Sequence, residues 1–202
     1  MRKLILFGDS NTYGYDPRDF LGGRYAEDER WATIVHNTLA DRFDVIEEGM
    51  NGRQLPSIEY GYFTNLLTDL SAEDIFVMML GTNDILLTYN PNVELAVTKL
   101  DRILSYVKEN CKAQFILIAP PYIKVMEPEM QLYHECCVEM NQRFLELAKQ
   151  YDITTFDASE WNIAMGSDGV HFSIEGHKRF AACFIKSLEK KTAYSLAGLS
   201  DH

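Results

Sequence analysis

Apolar positions along the chain follow two alternating patterns. Short apolar-rich runs predict strands at Lys3–Phe7, Asp44–Glu47, Ile75–Leu80, Phe115–Ile118 and Thr154–Phe156. Several are apolar throughout, as expected for strands covered on both faces. Between them the period changes to that of a helix. Trp31, Ile34, Val35, Thr38 and Leu39 make one stripe. Val93, Ala96, Val97, Leu100, Ile103, Leu104 and Val107 make a longer one. Two more run through Met130, Tyr133, Cys137, Met140, Phe144 and Leu147, and through Phe180, Ala181, Phe184, Ile185 and Leu188.

This alternation predicts an α/β fold with a five-stranded parallel sheet and helices on both faces. No repeat, low-complexity tract or Pro/Gly-rich linker interrupts it. A single domain over residues 1–190 is expected, with residues 191–202 as a C-terminal tail that loses periodicity. Sites in such sheets form beyond the carboxyl ends of the strands. Ser10 follows the first strand, and Gly81-Thr82-Asn83-Asp84 follows the third.

Composition narrows the function. The 202 residues are 47% hydrophobic and 24% charged, which suits a globular chain with a full core. The net charge of −11 argues against nucleic acid and against anionic membrane surfaces, since both need a basic face. The opening MRKLILFGDS has too short an apolar run for a signal peptide, and no segment reaches the length of a membrane span. A cytoplasmic protein is the expectation. Cys111, Cys136, Cys137 and Cys183 lack metal-ligand spacing and read as reduced thiols.

The stretch LILFGDSNTYGY poses the chemical question. A turn accounts for Gly8 and for Asp9, whose carboxylate suits local turn hydrogen bonds, but not for Ser10. A serine hydroxyl becomes a useful nucleophile only with a base, usually an imidazole oriented by a carboxylate. His36 and His134 lie in helical patterns with no evident carboxylate partner, His177 sits in the last helix, and His202 lies in the tail. His171, in SDGVHFS, has Asp168 three residues upstream in a glycine turn, a spacing that lets the carboxylate fold back onto the ring. Taken alone, most of that segment is explained by a capped turn before a helix. Donors for a developing oxyanion are available from the Ser10 N–H, the Gly52 N–H in EEGMNGRQ and the Asn83 amide in LGTND. Asn83 alone reads as an Asx turn and Gly52 alone as a turn glycine. Their coincidence on separate loops changes the weighting.

In order, FGDSNTYG, MNGRQ, GTND and DGVHFS resemble the sequence blocks of the SGNH (GDSL-type) hydrolases, from Phe7 into the last helical stripe. The resemblance implies a flavodoxin-like three-layer α/β/α sandwich. It also implies catalysis by Ser10, Asp168 and His171, an oxyanion hole of Ser10, Gly52 and Asn83, and no metal or organic cofactor. Arg30-Trp31 and DVIEEGMNGRQ look like the arylesterase and acyltransferase branch. Its members favour small acyl groups and often form homo-oligomers, so a small-molecule ester substrate and possible self-association are implied. Asn11 stands where the family's nickname has leucine. GxSxG is absent, against an α/β-hydrolase elbow.

The leading expectation is a serine esterase for small acetyl-type esters, including those of acetylated carbohydrates. The same triad would serve a thioesterase or an acyltransferase, and a silent carbohydrate-binding relative is the non-enzymatic alternative. Neither Asp16–Glu29 nor Ala119–Glu129 reads as an amphipathic lid. Tyr13, Tyr15, Tyr60 and Tyr62 are candidates for pocket walls or for plain packing. Arg53 is expected to pair with a surface carboxylate rather than meet a leaving group.

Overall fold

The computed structural model describes residues 1–19, 21–59 and 61–197, with side chains through residue 191. In chain order the elements are β1 (Arg2–Gly8), α1 (Ser10–Tyr13), α2 (Trp31–Leu39), β2 (Phe43–Gly49), α3 (Gly61–Thr68), β3 (Ile75–Met79), α4 (Thr82–Leu86), α5 (Val93–Asn110), β4 (Gln114–Ala119), α6 (Gln131–Gln150), β5 (Thr154–Asp157) and α7 (Ile174–Ala197). The strands form one all-parallel sheet in the order β2-β1-β3-β4-β5. Each expected strand is present, extended by a residue or two at most ends.

The uniform apolar runs follow from burial on both faces. Ile5, Phe7, Phe76, Met78, Phe115 and Leu117 face α3, α5 and α6, where Phe63, Leu100 and Phe144 fill the core. Leu4, Leu6, Val77, Met79, Ile116 and Ile118 face α2 and α7, packing on Trp31, Val35, Phe180 and Phe184. Alternate side chains of one strand point to opposite faces, so a two-sided core needs apolar residues at every position. The result is a three-layer sandwich.

Three helices were not legible as helices. α1 and α4 are only four and five residues long and carry polar residues that are buried. α3 buries only Phe63 and Leu67, one contact per turn, after a glycine start. The stripe at the chain's end belongs to α7, whose backbone continues to Ala197 through the start of the expected tail; residues 198–202 lie outside the described residues.

The order 2-1-3-4-5 places a topological switch between β1 and β3, where consecutive connections leave in opposite directions and a crevice opens at the carboxyl edge. Ser10 follows β1 and Asn83 lies in α4 just beyond β3.

Candidate active site

Gly8 ends β1, and the chain turns directly into α1. Asp9 is its N-cap, accepting the Asn11 N–H at 2.9 Å. Gly14 closes the helix, donating to the Ser10 carbonyl. Ser10 is therefore held at the first position of a short helix, where its N–H has no acceptor within the helix. Trp31, fully buried at the head of α2, donates through Nε1 to the Asn11 carbonyl at 3.0 Å and ties α1 to the layer of α2 and α7.

The loop before α7 brings in the other groups. Ser10 Oγ lies 3.0 Å from His171 Nε2, and His171 Nδ1 lies 2.5 Å from Asp168 Oδ2. The second oxygen of Asp168 accepts the N–H groups of Val170 and His171 at 2.9 and 3.0 Å. Partial burial alone would raise the Asp168 pKa, but these hydrogen bonds, led by that from the His171 ring, hold it below the usual carboxylate value. Tyr15 packs its ring against His171, centroids 4.5 Å apart. The chain of hydroxyl, imidazole and carboxylate can take a proton from Ser10 and stabilise the resulting imidazolium.

Across the crevice, Gly52 occupies a left-handed turn with φ 70°, a conformation glycine enters without steric cost. Asn83 donates through Nδ2 to the Arg53 carbonyl at 3.0 Å, leaving its second amide hydrogen for another acceptor. Asp84, its neighbour, is buried and accepts the Leu55 N–H at 2.8 Å while pairing with Lys99 at 2.7 Å. The Gly52 turn and α4 are thus laced together. A largely apolar cleft of about 450 Å³ opens beside Gly52, lined by Phe7, Met50, Pro56, Tyr62 and Phe63 among others.

The structure thus brings Ser10, Asp168 and His171 into one hydrogen-bonded chain and sets Gly52 and Asn83 on two laced loops. Two expectations change. Arg53 does have a carboxylate partner, Glu48 at 3.8 Å, but not at the surface: it is 9% exposed, and its guanidinium lies 4.1 Å from the Phe7 ring centroid. His36 does have a carboxylate near it, with Glu47 3.8 Å away, because α2 packs on β2; the same carboxylate accepts from Thr33 and pairs with Arg24. Tyr62 lines the cleft and donates to Glu48 at 2.6 Å, Tyr13 lies under the Arg24 guanidinium, and Tyr60 lies outside the described residues. Asn11 was missed as a site residue. Its carboxamide grips the main chain on both sides of His171, a tertiary contact with no local signature.

The family model for GDSL-like lipases and acylhydrolases matches residues 6–179. The chain belongs to the GDSL-like lipase/acylhydrolase family. No curated protein matches it in sequence. This family member is similar in structure to the aryl esterase of M. smegmatis, at 22% identity over 94% of this chain and 99% of that chain, with a TM-score of 0.77. A carbohydrate acetylesterase from Sinorhizobium meliloti gives 21% identity over 94% and 99% of the two chains, with a TM-score of 0.77. An acetylxylan esterase from Geobacillus stearothermophilus gives 18% over 92% and 93%, with a TM-score of 0.67. Among the described residues, no helix of this acylhydrolase-family chain is long and apolar enough to cross a membrane.

Proposed function

We propose that this protein is a serine esterase that hydrolyses small acyl esters through an acyl-enzyme on Ser10. The observation that carries the reading is the continuous hydrogen-bonded chain from Ser10 Oγ through His171 to Asp168. His171, neutral at the start, takes the Ser10 proton as Oγ attacks the ester carbonyl. The Ser10 and Gly52 N–H groups and the free Asn83 amide hydrogen meet the oxyanion. His171 then gives the proton to the leaving alkoxide, releasing the alcohol. A water, deprotonated by the same imidazole, attacks the acyl-enzyme, and collapse of the second tetrahedral species frees the acid and restores Ser10.

A small acyl group is supported by the chain's economy. Sheet and helices use most of its residues, and the long loop after β4 carries only a 3₁₀ turn at Pro128–Met130. The neighbours named for aryl, carbohydrate-acetyl and acetylxylan esters are in keeping with this.

The test pairs a fluorophosphonate probe with a p-nitrophenyl ester series below micelle-forming concentration. Labelling should fall on Ser10, and kcat/KM should be high from acetate to butyrate and low at octanoate. Absence of Ser10 labelling overturns the serine mechanism. A steady rise through octanoate overturns the small-acyl assignment, because each methylene gains about 0.8 kcal/mol only where apolar surface receives it.

A further inference from the structure

One side chain ties down the turn that carries Gly52. Arg53 Nη1 donates to the Gly8 carbonyl at 3.0 Å and to the Glu48 carbonyl, at the ends of β1 and β2. Nη2 lies 3.8 Å from the Glu48 carboxylate. The guanidinium plane is backed by Phe7. The main chain of Arg53 serves the other direction. Its N–H closes the turn onto the Met50 carbonyl at 3.2 Å, and its carbonyl receives the Asn83 amide at 3.0 Å.

Arg53 therefore touches Gly8, two residues before Ser10, adjoins Gly52 in the chain and binds Asn83. We infer that Arg53 is a positioning residue for the oxyanion hole: it locks the Gly52 turn onto the strand ends, and the locked carbonyl aims the Asn83 amide. The inference rests on the esterase reading above. The rigid planar fork of arginine can serve two carbonyls while stacking on an aromatic ring; a lysine ammonium on a flexible stem cannot hold that arrangement. The burial of Arg53 and its two main-chain acceptors set this role apart from an exposed ion pair, which would leave the turn free to move.

The experiment compares Arg53→Lys and Arg53→Met in the wild-type and Asn83→Ala backgrounds, with kcat and KM for p-nitrophenyl acetate and a thermal melt for each. Arg53→Lys should lower kcat by roughly tenfold and Arg53→Met by roughly a hundredfold, with KM within about twofold, because misplaced donors act on the transition state. In the Asn83→Ala background each loss should shrink severalfold, since the amide that Arg53 aims is gone. A merely structural role would lower the melting temperature without that coupling. Where Arg53→Met fails to fold, Arg53→Lys decides. A kcat near wild type for Arg53→Lys, or losses that simply multiply with Asn83→Ala, overturns the inference while leaving the esterase reading intact. An Asn83→Ala variant with undiminished kcat also overturns the inference, whereas the esterase reading falls only if Ser10 is not labelled by the fluorophosphonate.

Discussion

The carboxamide of Asn11 accepts the Phe172 N–H at 2.9 Å and donates to the Val170 carbonyl at 3.2 Å, so it holds the main chain on either side of His171. Asn11 is also the residue next to Ser10. One side chain thus ties the residue beside the serine to the main chain flanking the imidazole, across 161 positions of sequence. Asn11→Ala should lower kcat by about 10- to 100-fold with a smaller change in KM, the scale expected when a reacting pair is misplaced by about an ångström. It should also cost about 1–3 kcal/mol of stability, because the buried Phe172 N–H loses its acceptor. Asn11→Asp keeps that acceptor but sets a carboxylate oxygen against the Val170 carbonyl, so it should recover stability poorly and activity less. Steady-state kinetics with urea denaturation would check both, and an Asn11→Ala enzyme with wild-type kcat would remove the clamp from the account.

Ser10→Ala removes one small polar atom from a crevice and should abolish nearly all esterase activity with the melt unchanged. His171→Ala should be comparably damaging. The two losses should not add, because members of a triad act as a unit. Asp168→Asn should lower kcat by about 10²–10⁴-fold, since an amide can hold the wrong imidazole tautomer and gives the imidazolium no charge. Retention of half the activity in Ser10→Ala would end the nucleophile assignment.

Asn83→Ala should lower kcat by about 10²–10³-fold, the usual loss for one oxyanion donor, and change KM less. The hydrogen bond strengthens as charge develops, so the effect belongs to the transition state. A strong rise in KM with kcat level would make Asn83 a ground-state binding group instead.

Much of this site was legible because its parts follow strands. Buried parallel strands announce themselves as apolar runs, and what comes next in the chain must lie at the sheet's edge: Ser10 after β1, Gly52 after β2, Asn83 after β3. The Asp168–His171 pair was legible from its spacing in a glycine turn. The supports were not. In the sequence Asn11 is only a departure from the family's leucine and Arg53 only a partner for a surface carboxylate, until tertiary structure folds one against the loop before α7 and the other over Phe7. α4 hid for a related reason: Asn83 and Asp84 are buried polar residues whose partners, Arg53, Leu55 and Lys99, come from other elements. No pattern of hydrophobicity records such contacts.

Stability against pH should show two opposing contributions from buried groups near the site. Burial raises the Asp9 pKa from 3.8 to about 6, partly offset by the Asn11 N–H and by the charges of His171 and Arg53. The folded state then holds a proton that the unfolded chain releases, so this group's contribution falls as pH rises from about 4 to about 6 and is level above. His177 behaves oppositely. Burial, with help from His171 and Arg30, lowers its pKa from 6.5 to about 3, and its Nδ1 accepts the Trp31 N–H at 3.3 Å, a bond only the neutral ring can make. Here the unfolded chain takes up the proton first, so stability is lost as pH falls from about 6.5 toward 3. Between about pH 4 and 6 the two slopes partly cancel. Asp9→Asn preserves an acceptor for Asn11 and should gain stability at neutral pH, on the order of 1–3 kcal/mol, with the gain fading from about pH 6 down to about pH 4. His177→Asn, which offers an oxygen in place of Nδ1, should remove the imidazole's acid-side loss and leave the opposing Asp9 slope uncancelled. Urea midpoints measured from pH 4 to 7.5 would show the parent curve lying flatter than the difference curves of either variant. Difference curves parallel to the pH axis would mean that neither group changes its protonation on folding.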